Sequence, residues 1–133
     1  FRSGLTSQDV IFTGKIPYDE APSYLALGDL AVAPKLSATE GSGKILNYMA
    51  MGLPVVAYDT RVSREYMGSL GVYAAPLGDV SALTAALASI LADPAWAQRL
   101  GVALRERAGR HFSWDRTGLQ LLRVYDALHA KRR

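Results

Sequence analysis

Residues 30–57 carry one pattern that leaves few folds open. Leu30-Ala-Val-Ala-Pro34 is an apolar run that reads as a buried strand. Glu40-Gly-Ser-Gly43 then supplies a glycine-rich turn. Gly41 to Met51 reads as a helix, with Ile45, Leu46, Met49 and Ala50 as its apolar stripe. Gly52-Leu-Pro54 ends that helix, and Pro54 to Ala57 reads as the next strand. Two short apolar strands joined through a helix form a parallel pair, because a parallel partner is reached only by a crossover.

The same punctuation recurs along the chain. Val10 to Thr13 reads as a strand ended by Gly14, and Pro17 to Leu27 as a region holding a short helix with Tyr24 and Leu25. Arg61 to Met67 reads as a helix ended by Gly68, and Gly71 to Ala74 as a further strand. Four strands alternating with helices predict an α/β fold, a Rossmann-like parallel sheet. The remainder is helical. Asp79 can cap a helix with Val80, Leu83, Leu87, Ile90 and Leu91 on one face. Asp93-Pro94 is a cap followed by proline at the first helical position. The helix it opens shows Trp96, Leu100, Ala103 and Leu104 on one side. Ser113 can cap a last helix whose stripe is Trp114, Gly118, Leu121, Tyr125 and Leu128. All three stripes are expected to pack against the sheet or one another. The 133 residues suit one domain, spanning 1–133, and show no internal repeat.

The chemistry concentrates at the glycine turn. The first amides of a helix have no partner within it, so a strand, a glycine turn and a helix make an anion site. Gly41, Ser42 and Gly43 let a phosphate group approach the backbone closely. Lys44 puts a positive charge into the first turn, which the helix dipole disfavours by roughly 0.3–1 kcal/mol. A ligand anion would offset that cost; a solvated surface lysine is the plain alternative. Glu40 is either a favourable charge near a helix start or a carboxylate for hydroxyl groups. Asn47 lies three residues after Lys44, on the same side of the helix, and can bond either a ligand or a neighbouring turn.

These residues resemble a known family. Glu40, Gly41 and Gly43, followed by Met49, Ala50, Gly52, Pro54, Val55, Val56 and Ala57, are similar to the pattern E-G-x-G … E-A-M-A-x-G-x-P-V-V-A. That pattern belongs to retaining glycosyltransferases of the group-one, family 4 type, which have the GT-B architecture. Val10-Ile-Phe-Thr-Gly14, Tyr24-Leu25, Asp29-Leu30, Phe112-Ser-Trp114 and Tyr125 extend the likeness over nearly the whole chain. The resemblance implies the C-terminal, donor-binding domain of such an enzyme, N-terminally incomplete because two strand–helix units and the acceptor domain of the family are absent. It implies that Glu40 holds the donor sugar and serves catalysis. Gly41, Ser42, Gly43 and Lys44 would hold the diphosphate, and Asn47 would stand where the family has a ribose-binding glutamate. It implies that the turn Gly14-Lys15-Ile16 meets the nucleobase through its backbone. The donor would be a nucleotide diphosphate sugar, with no metal and no other cofactor. In the family's strand order the four strands expected here are the third to sixth. The fourth strand would then have an open edge, which a second copy of the chain could pair.

Composition excludes several other classes. There is no cysteine, so neither disulfides nor thiolate metal sites form. The net charge is +3 and the basic residues are scattered, apart from Lys131-Arg-Arg133, so no nucleic-acid partner is expected. No apolar stretch approaches the roughly 20 residues that span a membrane, and no signal-peptide pattern is present. The expected location is the cytoplasm, with a peripheral place at the membrane surface open to an intact enzyme. The rival expectation is a non-catalytic module that holds a nucleotide or phosphate, or serves only as an interaction surface.

Overall fold

The computed structural model describes residues 4–6, 8–37 and 39–130. The elements run α1 (Ala21–Leu25), β1 (Ala31–Ala33), α2 (Gly43–Ala50), β2 (Val55–Tyr58), α3 (Arg61–Met67), a 3-10 turn (Gly68–Leu70), β3 (Val72–Ala74), α4 (Val80–Leu91), α5 (Pro94–Phe112) and α6 (Trp114–Ala130). The three strands form one parallel sheet in the order β1-β2-β3. Ala31 faces Val55, and Val56 faces Val72. All four residues of β2 are buried, as a central strand covered on both faces demands. The α/β reading holds, with three helices following the sheet.

The core forms where the helices meet that central strand. Ile45, Met49, Val55, Val56, Met67, Ile90 and Leu104 are almost completely buried. α2 packs on β1 and β2, α4 packs on β2 and β3, and α5 lies against α2, α3 and α4. Local chemistry sets the ends of these helices. The Asp79 carboxylate accepts the Ala82 amide at 3.0 Å, and the Asp93 carboxylate accepts the Trp96 amide at 2.8 Å. Ser113 Oγ accepts the Arg116 amide at 3.3 Å at the start of α6. Thr60 and Ser63 form a reciprocal capping box at the start of α3.

At the end of α2, Gly52 takes φ +74°. Its amide donates to the Met49 carbonyl at 2.9 Å, and the Leu53 amide donates to the Tyr48 carbonyl at 3.1 Å. That is a Schellman motif, which needs a residue free to adopt the left-handed region. The turn is then closed over by α5. A Cβ on Gly101 would stand 2.0 Å from the Gly52 carbonyl oxygen. Helix and turn therefore meet backbone to backbone.

Two expectations are corrected. Val10 to Thr13 is not a strand: the segment is irregular, with Ile11 81% and Phe12 77% exposed. The reason is pairing. A β-rich run is a local property, whereas a strand also needs a ladder, and the described sheet is built from β1, β2 and β3. The described sheet thus has three strands, and β1 has β2 as its one neighbour among the described residues. The stripe of the last helix is also not packed. α6 has no buried residue, and Trp114 is 89% and Tyr125 60% exposed. Periodicity shows which side of a helix is apolar, not whether a partner is there. The expectation for Lys131-Arg-Arg133 lies outside the described residues.

Candidate functional site

β1 ends at Ala33, and Pro34 carries the chain past the sheet's carboxyl edge. Lys35 follows immediately, and the chain returns through Glu40 and Gly41 to the start of α2. This places the loop at the carboxyl ends of the strands, where open α/β sheets bind ligands. Ser42 stands before the first helical residue and its side chain makes no cap bond. The Ile45 amide donates to the Ser42 carbonyl at 2.9 Å, and no side chain caps the helix start ahead of it.

The turn is built around Lys35. Its Nζ lies 3.1 Å from Glu40 Oε2 and donates to the Gly41 carbonyl at 2.9 Å. Glu40 remains 74% exposed at its side chain, while Lys35 is 34% exposed. A small recess beside the pair is lined by Lys35, Glu40, Ser42, Tyr58, Thr60 and Ser63, joining the ends of β1 and β2. On the other side of Lys35 opens a groove of about 510 Å³. Gly41, Ser42, Gly43, Lys44 and Tyr48 line it together with Val32 and Lys35. Lys44 sits in the first turn of α2, as expected, so two lysines line one groove at one helix start.

Gly41 and Gly43 do not have positive φ. Gly43 is glycine beside open space, since a Cβ there would meet nothing within 4 Å. A Cβ on Gly41 would lie 3.2 Å from the Tyr66 hydroxyl. The two glycines thus leave the backbone open to approach without being needed for a left-handed turn.

The remaining candidates fall elsewhere. Asn47 lines a separate cavity of about 150 Å³ with Tyr18, Ala21, Pro22, Leu25, Ala50 and Met51. It faces α1, while Lys44, on the same helix, faces Lys35. Gly14, Lys15 and Ile16 line neither the Glu40 recess nor the Lys44 groove. Gly14 has φ +66° with no atom near its Cβ position, so its turn is a backbone requirement. Among the described residues no group of three His, Cys, Asp or Glu side chains is arranged to hold a metal.

Behind the loop, the end of β2 is braced by charge. Arg64 Nε and Nη2 donate to the two Asp59 carboxylate oxygens at 2.5 and 2.6 Å. The hydrogen bonds from Arg64 hold the Asp59 carboxyl below the usual carboxylate range, against a smaller opposing effect of burial. Arg64 also lies over the Tyr73 ring, 4.7 Å from its centre. Burial pushes the Tyr73 hydroxyl above the usual phenol range, and it donates to the Gly68 carbonyl at 2.5 Å. Ser63 Oγ donates to the Tyr58 carbonyl at 2.7 Å, tying α3 to the strand end. Arg107 Nε donates to the Tyr66 carbonyl at 2.6 Å, and Tyr66 meets Phe112 edge-on at 5.6 Å. Of the two arginines of α3, Arg64 is the one ion-paired among the described residues, with Asp59. Lys35, Tyr48 and Tyr66 are the site neighbours that sequence reasoning missed. The one available signal was Lys35 directly after a strand-ending proline.

Several known proteins resemble this chain. The family model described as "Glycosyl transferases group 1" matches residues 1–93. A GDP-mannose-dependent alpha-(1-6)-phosphatidylinositol monomannoside mannosyltransferase of Mycolicibacterium smegmatis is 33% identical over 123 residues, 86% of this chain and 32% of that protein. A glycogen synthase of Mycobacterium tuberculosis is 37% identical over 124 residues, 91% of this chain and 29% of that protein. Among solved structures, sucrose-phosphate synthase from Thermosynechococcus elongatus superposes with a TM-score of 0.81 at 31% identity. That match covers 93% of this chain and 31% of the synthase. The chain therefore spans about a third of the length of the relatives it matches. Among the described residues no single helix is long and apolar enough to cross a membrane. With a family model matched over residues 1–93, and 93% of the chain matched by a known synthase structure, the chain belongs to the group 1 glycosyltransferases.

Proposed function

We propose that this chain is the donor-holding part of an enzyme that moves a sugar from a nucleoside diphosphate to an acceptor hydroxyl, with retention at the anomeric carbon. The observation that carries the reading is the groove at the start of α2, lined by Lys44, by Lys35, which is paired with Glu40, and by the glycine turn. A nucleoside diphosphate brings matching negative charge. As the bond from the anomeric carbon to the phosphate oxygen breaks, charge grows on the departing diphosphate. Lys44 and the first amides of α2 meet that charge already oriented, which is the main way such a site lowers a barrier. Glu40 in this reading accepts hydrogen bonds from sugar hydroxyls and steadies positive charge at the anomeric carbon. Asn47 and the Gly14-Lys15-Ile16 turn are proposed for the ribose and base, which requires the ligand to extend from the Lys44 groove toward α1. Lysine and backbone supply the charge, so no divalent metal enters the proposal. A second domain brings the acceptor.

Isothermal titration with GDP, UDP and ADP, each with and without EDTA, tests the reading. One of the three binds, indifferent to EDTA, and Lys44→Ala weakens it. Equal affinity of the Lys44→Ala chain would return that lysine to the solvated surface.

A further inference from the structure

We infer that Lys35 is the positioning residue for Glu40, holding the turn in the shape that presents the carboxylate to the donor. The inference rests on the donor-holding reading above. A lysine ammonium has three protons. One is donated to the Gly41 carbonyl at 2.9 Å, and the charge itself stands 3.1 Å from a carboxylate oxygen of the preceding residue, Glu40, as an ion pair. A single group thus holds both the side chain and the backbone of the turn. Lys35 also lines the groove that it shares with Lys44.

From the other side, the Tyr66 hydroxyl stands against Gly41, 3.2 Å from where a Cβ would be. Tyr66 is itself held, by Phe112 at its ring and by Arg107 at its carbonyl. The turn therefore lies between a cation from the end of β1 and a braced ring from α3. This arrangement is not a device for stability, because an ion pair with one partner as exposed as Glu40 contributes little to folding. Its effect is geometric. The carboxylate has about four acceptor positions. With the Lys35 charge beside one oxygen, Glu40 keeps acceptor positions for sugar hydroxyls while its swing into solvent is restrained. Ordering paid before binding is affinity kept.

The proposal predicts a loss that depends on the sugar. The chain is titrated with GDP and GDP-mannose, UDP and UDP-glucose, and ADP and ADP-glucose. The pair that binds gives a ratio of nucleotide-sugar to nucleoside-diphosphate affinity. Lys35→Met lowers that ratio by about tenfold, the size of one charge-assisted hydrogen bond. Lys35→Arg, which keeps the charge and donors, restores most of it. In a Glu40→Gln background, Lys35→Met changes the ratio no further, because its effect runs through the carboxylate. Hydrogen exchange rises over residues 36–43 in Lys35→Met and stays unchanged over α2 and β2, showing that the fold survives. An unchanged ratio in Lys35→Met, or a loss that adds in full to that of Glu40→Gln, overturns the role of Lys35 and leaves the donor-holding reading standing. Failure of the unaltered chain to bind any of the six nucleotides overturns that reading, and this inference with it.

Discussion

The two ends of α2 are both glycine turns, and they differ in kind. The turn at its end, Met51-Gly52-Leu53, has a left-handed glycine, two motif hydrogen bonds and α5 seated directly on its backbone. The turn at its start, Gly41-Ser42-Gly43, has no positive φ, no side-chain cap and open space beside Gly43. Gly52 is glycine because its φ is positive, and the glycine that close packing demands is the one facing it on α5, Gly101. Gly43 is glycine although the fold would tolerate a side chain there. The lesson is that glycine serves structure where backbone conformation or close packing requires it. Where neither is found, what the glycine leaves open is access.

The sharpest way to break this comparison is Gly101→Ala. Its new Cβ would lie 2.0 Å from the Gly52 carbonyl oxygen, which is backbone and cannot step aside. Overpacking of this kind destabilises by about 3 kcal/mol, read as a lower urea midpoint. A midpoint equal to that of the unaltered chain would show that α5 and the turn separate freely. Lys44→Ala should do the opposite. It costs about 2 kcal/mol in nucleoside diphosphate affinity, measured by titration, while the urea midpoint does not fall. A drop in stability without a change in binding would move the start of α2 into the structural class.

Gly43→Ala sharpens the contrast further. With ordinary φ and free space, alanine should leave stability equal or raise it by about 0.5 kcal/mol, through its better helix propensity. Nucleoside diphosphate affinity should fall, because the added methyl faces the groove. A loss of stability, with binding retained, would contradict the division drawn here.

The smallest effect concerns the ion pair at the end of β2. The Asp59 carboxyl is held below its usual range by Arg64. A depressed folded pKa stabilises fully above the unfolded value, about 3.9 for aspartate, and the gain is lost as pH falls through the folded value. The unaltered chain should therefore lose a little stability at the acid end of this window. Arg64→Gln should flatten that acid limb and leave nucleoside diphosphate affinity at neutral pH untouched. Thermal melts of both proteins from pH 6 down to about pH 3 check it. Identical acid limbs would remove Asp59 from the account.

Much of the frame was legible because its signals are local. Asp79 and Asp93 cap the helices they precede, since a carboxylate finds the amide three residues on without help from the rest of the chain. Met51 to Pro54 ends α2 for the same reason. The turn at Glu40-Gly41 was legible as a site because a strand, glycines and a cation at a helix start appear in one short stretch. Lys35 was not singled out, because its partners come back to it only when the loop closes. Asn47 was grouped with Lys44 by helical spacing, yet α1 gives it a different cavity.

Sequence by itself determined which segments are strands of a buried parallel sheet from residue 30 onward, where the helices begin and end, and which residues gather at the start of α2. Those properties depend on neighbours a few residues apart. Tertiary structure decided three other things. It left Val10 to Thr13 irregular and outside the sheet, because joining a ladder depends on which strand edge the packed fold offers. It left the apolar side of α6 exposed, because a stripe has no means of specifying its own partner. It joined Lys35 to Glu40 and set Tyr66 against Gly41, because a contact between β1, α3 and a returning loop is settled by how the whole sheet packs.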